Sequence, residues 1–187
     1  EKRFLLVSLL IVFAIGSSVW ETPKPTDPFP RGSGELAANK YPGTPNRFYV
    51  FGGVLDVPSD NSSNWIFFND LWRCLVVPSR PEPFKCIWKR FSVKKHAVVP
   101  SERSFASTGV VTLKGRDVVL VFGGGEFDDT QARVFPAPDS FYTFNTKTRK
   151  WRDRTSLVPA GLGARLASGS SSFGNKYYVF GGINEQF

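Results

Sequence analysis

The sequence predicts an all-β fold made of repeated four-stranded antiparallel units. A run of β-branched and aromatic residues that closes on Gly-Gly occurs three times, at 47–53, 118–124 and 176–182. From residue 31 onward, short apolar stretches alternate with turn residues, and no amphipathic helical pattern of useful length interrupts them. The first glycines of the pairs are 71 and 58 residues apart. Repeated four-stranded sheets at such spacings predict radial stacking, as in a β-propeller.

The first 30 residues are expected to precede the folded part. Two basic residues are followed by an apolar run at 4–15 and then by small residues, which are the parts of a secretory signal peptide. A retained signal anchor is the alternative, because residues 4–20 reach the short limit for a membrane span. We assign 1–18 to this signal or anchor and 19–30 to a proline-rich linker. The prediction is a protein that is secreted or faces the extracytoplasmic side of a membrane, with attachment through 4–20 if the anchor is retained.

The charge favours an anionic or protein partner outside the cytosol. The 187 residues carry a net charge of +8, with 41% apolar and 15% aromatic residues, a globular composition. In a cytosolic protein this charge would suggest nucleic acid. Behind a secretory segment we expect no nucleic acid and consider a protein or an acidic glycan instead. A solvated basic surface without a ligand is the simpler explanation.

Two further features suit the secretory route. Asn61 begins the sequon Asn-Ser-Ser, a glycosylation acceptor in a polar stretch. Cys74 and Cys86 are the only cysteines, and they fall in the predicted third and fourth strands of the first unit. A disulfide across that hairpin is predicted, with two buried free thiols as the alternative.

Three units follow one another along the chain. They are predicted at 31–100, 101–160 and, as a partial unit, 161–187. The first strand of the first unit has no clear pattern. The second unit shows its four strands most clearly, at 105–113, 117–123, 140–145 and 150–155.

These units resemble kelch repeats over about residues 31–187. The resemblance is carried by an Arg-Ser opening at Arg103, the Gly-Gly that ends the second strand, the pair Asn69-Asp70 before an aromatic third strand, and a tryptophan in the fourth strand at Trp88 and Trp151. Departures from the pattern are Cys74 in place of an aromatic residue and a long proline-rich link between the third and fourth strands of the first unit.

The resemblance implies a kelch-type propeller segment that acts as a protein- or glycan-binding module. A secreted carbohydrate-active enzyme on the same scaffold, of the galactose oxidase or sialic acid mutarotase type, is one alternative. A structural ectodomain of a membrane-anchored protein is another. The copper oxidases need several His and Tyr ligands, which this chain does not show. We therefore expect no cofactor and no metal site, and whether the protein is an enzyme stays open.

The repeated residues are predicted to be structural. Glycine adopts positive φ and allows close approach of neighbouring backbones, which the ends of crowded strands require. The tryptophans are expected to pack between neighbouring sheets. The residues assigned to structure are Gly52, Gly53, Gly123, Gly124, Gly181, Gly182, Trp88 and Trp151.

Function is expected in the unrepeated loops that follow the glycine pairs. In a four-stranded meander, the links between strands two and three emerge at the same end as the links between units. Loops on a rigid scaffold often carry recognition, although a merely solvated loop explains any single residue as well. The candidate binding residues are Glu126, Phe127, Asp128 and Asp129, followed by Asp56, Asp60 and Trp65. The single histidine, His96, supplies too little for a catalytic or metal-binding constellation.

Overall fold

The fold is known from a computed structural model that describes most of the chain beyond residue 34. The described ranges are 35–39, 46–59, 62–80, 84–92, 98–128, 133–137, 141–163 and 165–184. The predicted signal or anchor (1–18), the linker (19–30), Asp60, Asn61, His96 and Asp129 lie outside these ranges.

Strands account for nearly all the regular structure of the described residues. They are β1 Glu35–Asn39, β2 Arg47–Phe51, β3 Val54–Ser59, β4 Ser62–Phe67, β5 Leu71–Pro78, β6 Phe84–Arg90, β7 Ser107–Leu113, β8 Arg116–Phe122, β9 Gly125–Asp128, β10 Arg133–Pro136, β11 Phe141–Asn145, β12 Lys150–Asp153, β13 Gly169–Phe173 and β14 Lys176–Phe180. One short 3₁₀ turn, Thr155–Leu157, follows β12. The predicted all-β class is confirmed.

Two of the sheets have four antiparallel strands in sequence order, apart from one inserted hairpin each. The first sheet has the order β1-β2-β5-β6 and the second β7-β8-β11-β12. The hairpin β3–β4 is inserted between β2 and β5, and β9–β10 between β8 and β11. The strands β13 and β14 form a third hairpin. Among the described residues these sheets do not close into a propeller.

The predicted strand bounds of the second unit agree with the structure to within two residues. The first unit shows why the residue pattern alone does not predict every strand. Its first strand, β1, pairs along its whole length with β2. The sequence of β1 is Glu-Leu-Ala-Ala-Asn, which has no β-branched or aromatic residue. The pairing with β2, not intrinsic propensity, makes this segment a strand. The segments predicted as long loops between strands two and three contain the two inserted hairpins.

The main core lies between the first and second sheets. The ring of Phe51 in β2 meets Trp151 in β12 edge to face, with centroids 5.5 Å apart. Phe91 packs in the same way on Phe144 at 5.1 Å. These residues are buried, and Val119 of the same cluster is fully covered. Burial of large aromatic surfaces, each favourable by about 1.5–3 kcal/mol, therefore holds one unit against the next.

The third hairpin packs on the other side of the second sheet, and β13 runs parallel to β7. The Ser107 hydroxyl bonds the Ser168 carbonyl at 2.9 Å, and the Ser170 hydroxyl bonds the Thr108 carbonyl at 2.7 Å. Both strands therefore advance in the same direction. The outer face of this hairpin is open: Phe180 is 86% exposed, whereas Phe51 and Phe122, which precede the other two glycine pairs, are 1% and 3% exposed.

The glycine pairs join successive units through the backbone. Gly52 has φ +61°, and a Cβ there would lie 2.5 Å from the Arg103 carbonyl oxygen. Gly123 has φ +63°, and a Cβ there would lie 2.4 Å from the Arg165 carbonyl oxygen. The same two carbonyl groups accept hydrogen bonds from Gly53 and Gly124 at 2.9 Å. The second glycine of each pair also has positive φ. Only glycine satisfies both the conformation and the close approach.

The two cysteines meet across the β5–β6 hairpin. Cys74 lies opposite Trp88 and Cys86 lies opposite Val76, so the pair is diagonal in the register. Their Cα atoms are 5.5 Å apart and their sulfur atoms are bonded. This separation is within the range that disulfides require, so the geometry agrees with the predicted bridge. Cys74 is buried, whereas Cys86 is exposed.

A polar cluster also connects the first and second sheets. Asp117, at the start of β8, is 3% exposed. Its carboxylate accepts from the Tyr49 hydroxyl at 2.6 Å, from Arg47 Nη1 at 3.1 Å and from the Thr112 hydroxyl at 3.1 Å. Burial, followed by the hydrogen bond to Asp117, raises the pKa of the Tyr49 hydroxyl.

The Tyr49–Asp117 bond predicts an alkaline loss of stability. Because the folded state holds Tyr49 protonated, its contribution is complete below about pH 10, the pKa of an unfolded tyrosine, and declines as the pH rises above that value. Tyr49→Phe should cost about 1–2 kcal/mol at pH 7, since it removes one hydrogen bond to a buried charged group. Urea unfolding between pH 7 and 11 measures both effects. The difference between wild type and variant should shrink above pH 10, and a constant difference would contradict this role of Tyr49.

Candidate functional site

The two ends of the sheets differ in their connections. We call the end with the glycine pairs, the inserted hairpins and the links between units the loop end. The turn end carries the hairpin turns at 114–115, 146–149 and 174–175. In the second sheet, Ser107 pairs with Phe122 at the loop end and Leu113 pairs with Arg116 at the turn end. The predicted binding residues that the structure describes, Asp56, Trp65 and Glu126 to Asp128, therefore belong to the loop end.

Glu126 lies in the hairpin β9–β10, where it pairs with Phe135. Its side chain is 43% exposed, and its Oε1 accepts from Arg103 Nη2 at 3.3 Å. The Ser101 hydroxyl donates to the same oxygen. One carboxylate oxygen is thus held by the link between the first and second units. The fixed orientation makes Glu126 a preorganised acceptor at the surface rather than a mobile loop residue.

Arg103 is the buried centre of this arrangement. It is 2% exposed, and its Nη1 donates to the Gly123 carbonyl at 2.9 Å. Its Nε donates to the Ser101 carbonyl at 3.2 Å, and its guanidinium lies 5.7 Å from the centroid of the Tyr142 ring. Burial lowers the pKa of Arg103, and the nearby Glu126 carboxylate opposes that shift. The guanidinium remains charged, because an arginine pKa lies far above neutrality.

The third unit uses Arg165 in the same way. Its Nη1 donates to the Gly181 carbonyl at 3.0 Å, and its Nε donates to the Leu162 carbonyl at 3.0 Å. Arg103 and Arg165 stand 20 and 16 residues ahead of the glycines that they contact. The sequence predicts Arg103 as the opening of the second unit, but it does not predict the contact of Arg103 with Glu126. The arginine that precedes each Gly-Gly is the sequence signal for its contact with the glycine pair, whereas no such signal exists for the contact of Arg103 with Glu126.

The hairpin β3–β4 presents apolar side chains on both of its faces. Trp65 is 45% exposed and Ile66 is 47% exposed. Successive residues of a strand point to opposite faces, so neither face of the hairpin is covered by the core at this position. The rings of Trp65 and Phe67 lie 6.5 Å apart on one face. Asp56 is paired with Trp65 in the backbone register.

The predicted binding residues thus divide into two groups on the two inserted hairpins. Trp65 and Asp56 lie on β3–β4, and Glu126 lies on β9–β10 with the backbones of Phe127 and Asp128. Asp60 and Asp129 lie outside the described residues. Arg103 and Ser101, which sequence reasoning did not include, complete the second group.

Three further observations on the described residues concern metal binding, membrane spans and a surface groove. Within them, no group of three or more His, Cys, Asp or Glu side chains is arranged to hold a metal ion. The same part of the chain contains no helix that is long and apolar enough to cross a membrane. A shallow groove of about 200 Å³ between the second sheet and the third hairpin is lined mainly by apolar side chains, among them Phe141, Leu157 and Tyr177.

Comparisons with known proteins bear on the fold alone. No protein-family model matches the chain. No curated protein matches it either. Among solved structures, a chain in the cryo-EM structure of RAG in complex with one melted RSS and one unmelted RSS is similar, with a TM-score of 0.67 at 16% sequence identity. The match covers 87% of the present chain and 46% of that chain, so the present chain spans less than half the length of this structural neighbour. At this identity the two chains share a fold, and the likeness carries no further meaning.

Proposed function

We propose that this chain is a segment of a kelch-type β-propeller and serves as a binding module for a protein or a glycan. Two consecutive four-stranded sheets with the same strand order support the propeller. The use of Arg103 and Arg165 at the same structural position supports a true repeat. The disulfide between Cys74 and Cys86 supports a secreted protein, or one on the extracytoplasmic face of a membrane, since disulfides persist in oxidising compartments.

The observation that carries the binding proposal is the exposed apolar surface of the hairpin β3–β4. Trp65 and Ile66 are each nearly half exposed, although burial of an indole in the core would be strongly favourable. Tryptophan is enriched among residues that dominate the energy of binding interfaces. The held carboxylate of Glu126 on the neighbouring insertion adds a directional acceptor. Together they suit a partner with an apolar or sugar-ring face and a hydrogen-bond donor.

A matched pair of variants tests the proposal. The full chain is screened against a panel of extracellular proteins and an array of glycans, and the strongest ligand is titrated with each variant. Trp65→Ala should weaken binding at least about tenfold, as expected for a central aromatic contact. Phe84→Ala is the control, because Phe84 is 47% exposed at the turn end of the first sheet. It should leave the affinity unchanged.

Two outcomes would contradict the proposal. Equal affinity of wild type, Trp65→Ala and Glu126→Ala would remove the loop end from the binding surface. Consumption of a bound sugar during the titration, detected by mass spectrometry, would instead indicate an enzyme on this scaffold.

A further inference from the structure

The turn end carries a concentration of positive charge that the proposed function does not use. We call six exposed residues from three successive turns the turn-end cations. They are Lys114, Arg116, Lys147, Arg149, Lys150 and Lys176. None of the six forms an ion pair with another described residue. Strand β13 of the third hairpin runs in the same direction as β7 of the second sheet. The turn of that hairpin therefore lies at the same end of the molecule as the two turns of the second sheet.

The acidic side chains of the described residues lie mostly at the loop end and not at the turn end. Within the described residues, Asp117 is the acidic residue of the turn end, and it is buried and bonded to Arg47 and Tyr49. The loop end holds Asp70, Glu102, Glu126 and Asp153. The loop end also carries Arg90, Arg103, Arg154 and Arg165, so both signs of charge meet there. The exposed charges of the three turns are all positive, and a field of one sign attracts anions.

Two of the turn-end cations lie at strained backbone positions, as do Phe105 and Ala167 outside the turns. Lys114 has φ +51° and Arg149 has φ +55°. This left-handed conformation costs an ordinary residue roughly 1–2 kcal/mol, and hairpin turns normally place Gly or Asn there. The third turn has glycine, Gly174 with φ +62°. A lysine and an arginine thus occupy positions where turn chemistry favours small residues, and strain of this kind is concentrated at functional sites.

The composition of the turns favours a polysaccharide among the possible polyanions. Besides the cations, the tips at 114–116, 146–150 and 174–176 contain only Gly, Thr and Asn. Two apolar side chains flank the tips: Phe173, opposite Lys176 in the register, is 81% exposed, and Leu113, opposite Arg116, is 45% exposed. One exposed ring is not a platform on which successive bases stack, and two isolated apolar side chains are not the apolar face of an amphipathic helix that enters a bilayer. Hydroxyl and amide groups beside cations suit a chain of sugars with carboxylate or sulfate groups.

The spacing fits a linear ligand rather than a small anion. Two hairpin turns in one sheet are separated by about two strand spacings, roughly 10 Å, and neighbouring sheets are also about 10 Å apart. The cations therefore form a dispersed array and do not converge on one point. We propose that the turn end binds a linear acidic polysaccharide, with one anionic group of the polymer at each turn.

The strained positions allow a test in which binding and folding change independently. The full chain carrying Lys114→Asn and Arg149→Gly is titrated with fluorescent dextran sulfate and polygalacturonate, with neutral dextran as a blank. Loss of two exposed ion pairs, about threefold each, should weaken binding roughly tenfold. Urea unfolding should show stability equal to wild type or slightly higher, because both substitutions suit positive φ. Lys147→Gln with Lys150→Gln is a second double variant that leaves the strained positions intact, and it should weaken binding similarly.

Lys89→Gln with Arg152→Gln is the matched control. Both residues are exposed on the outer strands β6 and β12, and neither belongs to a hairpin turn, so the double variant loses the same net charge; Lys89 lies near the loop end, and Arg152 lies two residues from the turn-end cation Lys150. Its affinity should stay within about twofold of wild type, since the lost charges make no direct contact. A tenfold loss of affinity in this control would show that binding depends on net charge alone, which would contradict a binding site at the turn end. Absence of binding to both acidic polysaccharides would also overturn it, as would tighter binding of duplex DNA or phosphatidylserine vesicles through the same turn-end cations.

Discussion

Gly123→Ala is expected to destabilise the protein by about 3 kcal/mol or more. The new Cβ would lie 2.4 Å from the Arg165 carbonyl oxygen, and that oxygen is held in place by its hydrogen bond from Gly124 at 2.9 Å. A left-handed alanine costs roughly 1–2 kcal/mol, and forced displacement of packed backbone adds about 1–3 kcal/mol. Urea unfolding followed by tryptophan fluorescence measures the loss.

Gly181→Ala separates the two contributions. Gly181 has φ +69°, almost the same conformation, but a Cβ there would meet no atom within 4 Å. This variant should therefore lose only about 1 kcal/mol, the conformational cost less a small gain from a stiffer unfolded chain. If the two variants were equally destabilised, the close approach between Gly123 and Arg165 would have no energetic importance, and the proposed joint between units would be wrong.

Arg103→Ala is expected to cost about 3–5 kcal/mol, as for removal of one member of a buried charged network. The variant leaves the Gly123 carbonyl without its 2.9 Å donor and removes the guanidinium that lies against Tyr142. It also releases the Glu126 carboxylate from its 3.3 Å partner. Loss of stability should therefore be accompanied by weaker binding of any ligand that uses Glu126, even at temperatures where the variant is fully folded.

Arg165→Ala is the matched comparison for that experiment. Arg165 makes the equivalent bond to Gly181, but it is only half-buried and Gly181 is exposed. Water can replace the lost donor there, so the expected cost is about 1 kcal/mol. Equal costs for the two arginine variants would show that burial of Arg103 contributes nothing, which would contradict the central place given to it at the loop end.

Much of the fold was accessible from the sequence, and the failures have local physical causes. The segment predicted at 105–113 is strand Ser107–Leu113, and that at 150–155 is Lys150–Asp153. These strands are rich in β-branched residues or bounded by clear turns. The sequence of β1 shows no clear strand pattern because its residues have little strand propensity, and pairing with β2 makes it a strand. The sequence predicts a loop in place of the hairpin β9–β10, because its strands have only four residues each and β9 begins with Gly and Glu.

The candidate site was less accessible. Glu126 and Trp65 were predicted from their position after the glycine pairs, and both lie on hairpins at the loop end. The connection of Glu126 to Arg103 spans 23 residues within the second unit, and no local pattern encodes it. The turn-end cations were seen only as part of a net charge of +8, because residues from three separate turns become neighbours only when the sheets align.

By itself, the sequence determined the repeat, the all-β class and the places where glycine is required. These depend on short-range properties, namely alternation of side chains, turn chemistry and positive φ, which are written in consecutive residues. The tertiary structure alone decided which carbonyl each glycine meets, which carboxylate the buried Arg103 holds, and which end of the sheets collects the positive charge. Those relations depend on the packing of one unit against the next, where residues far apart in the chain exclude water together and fix each other's position.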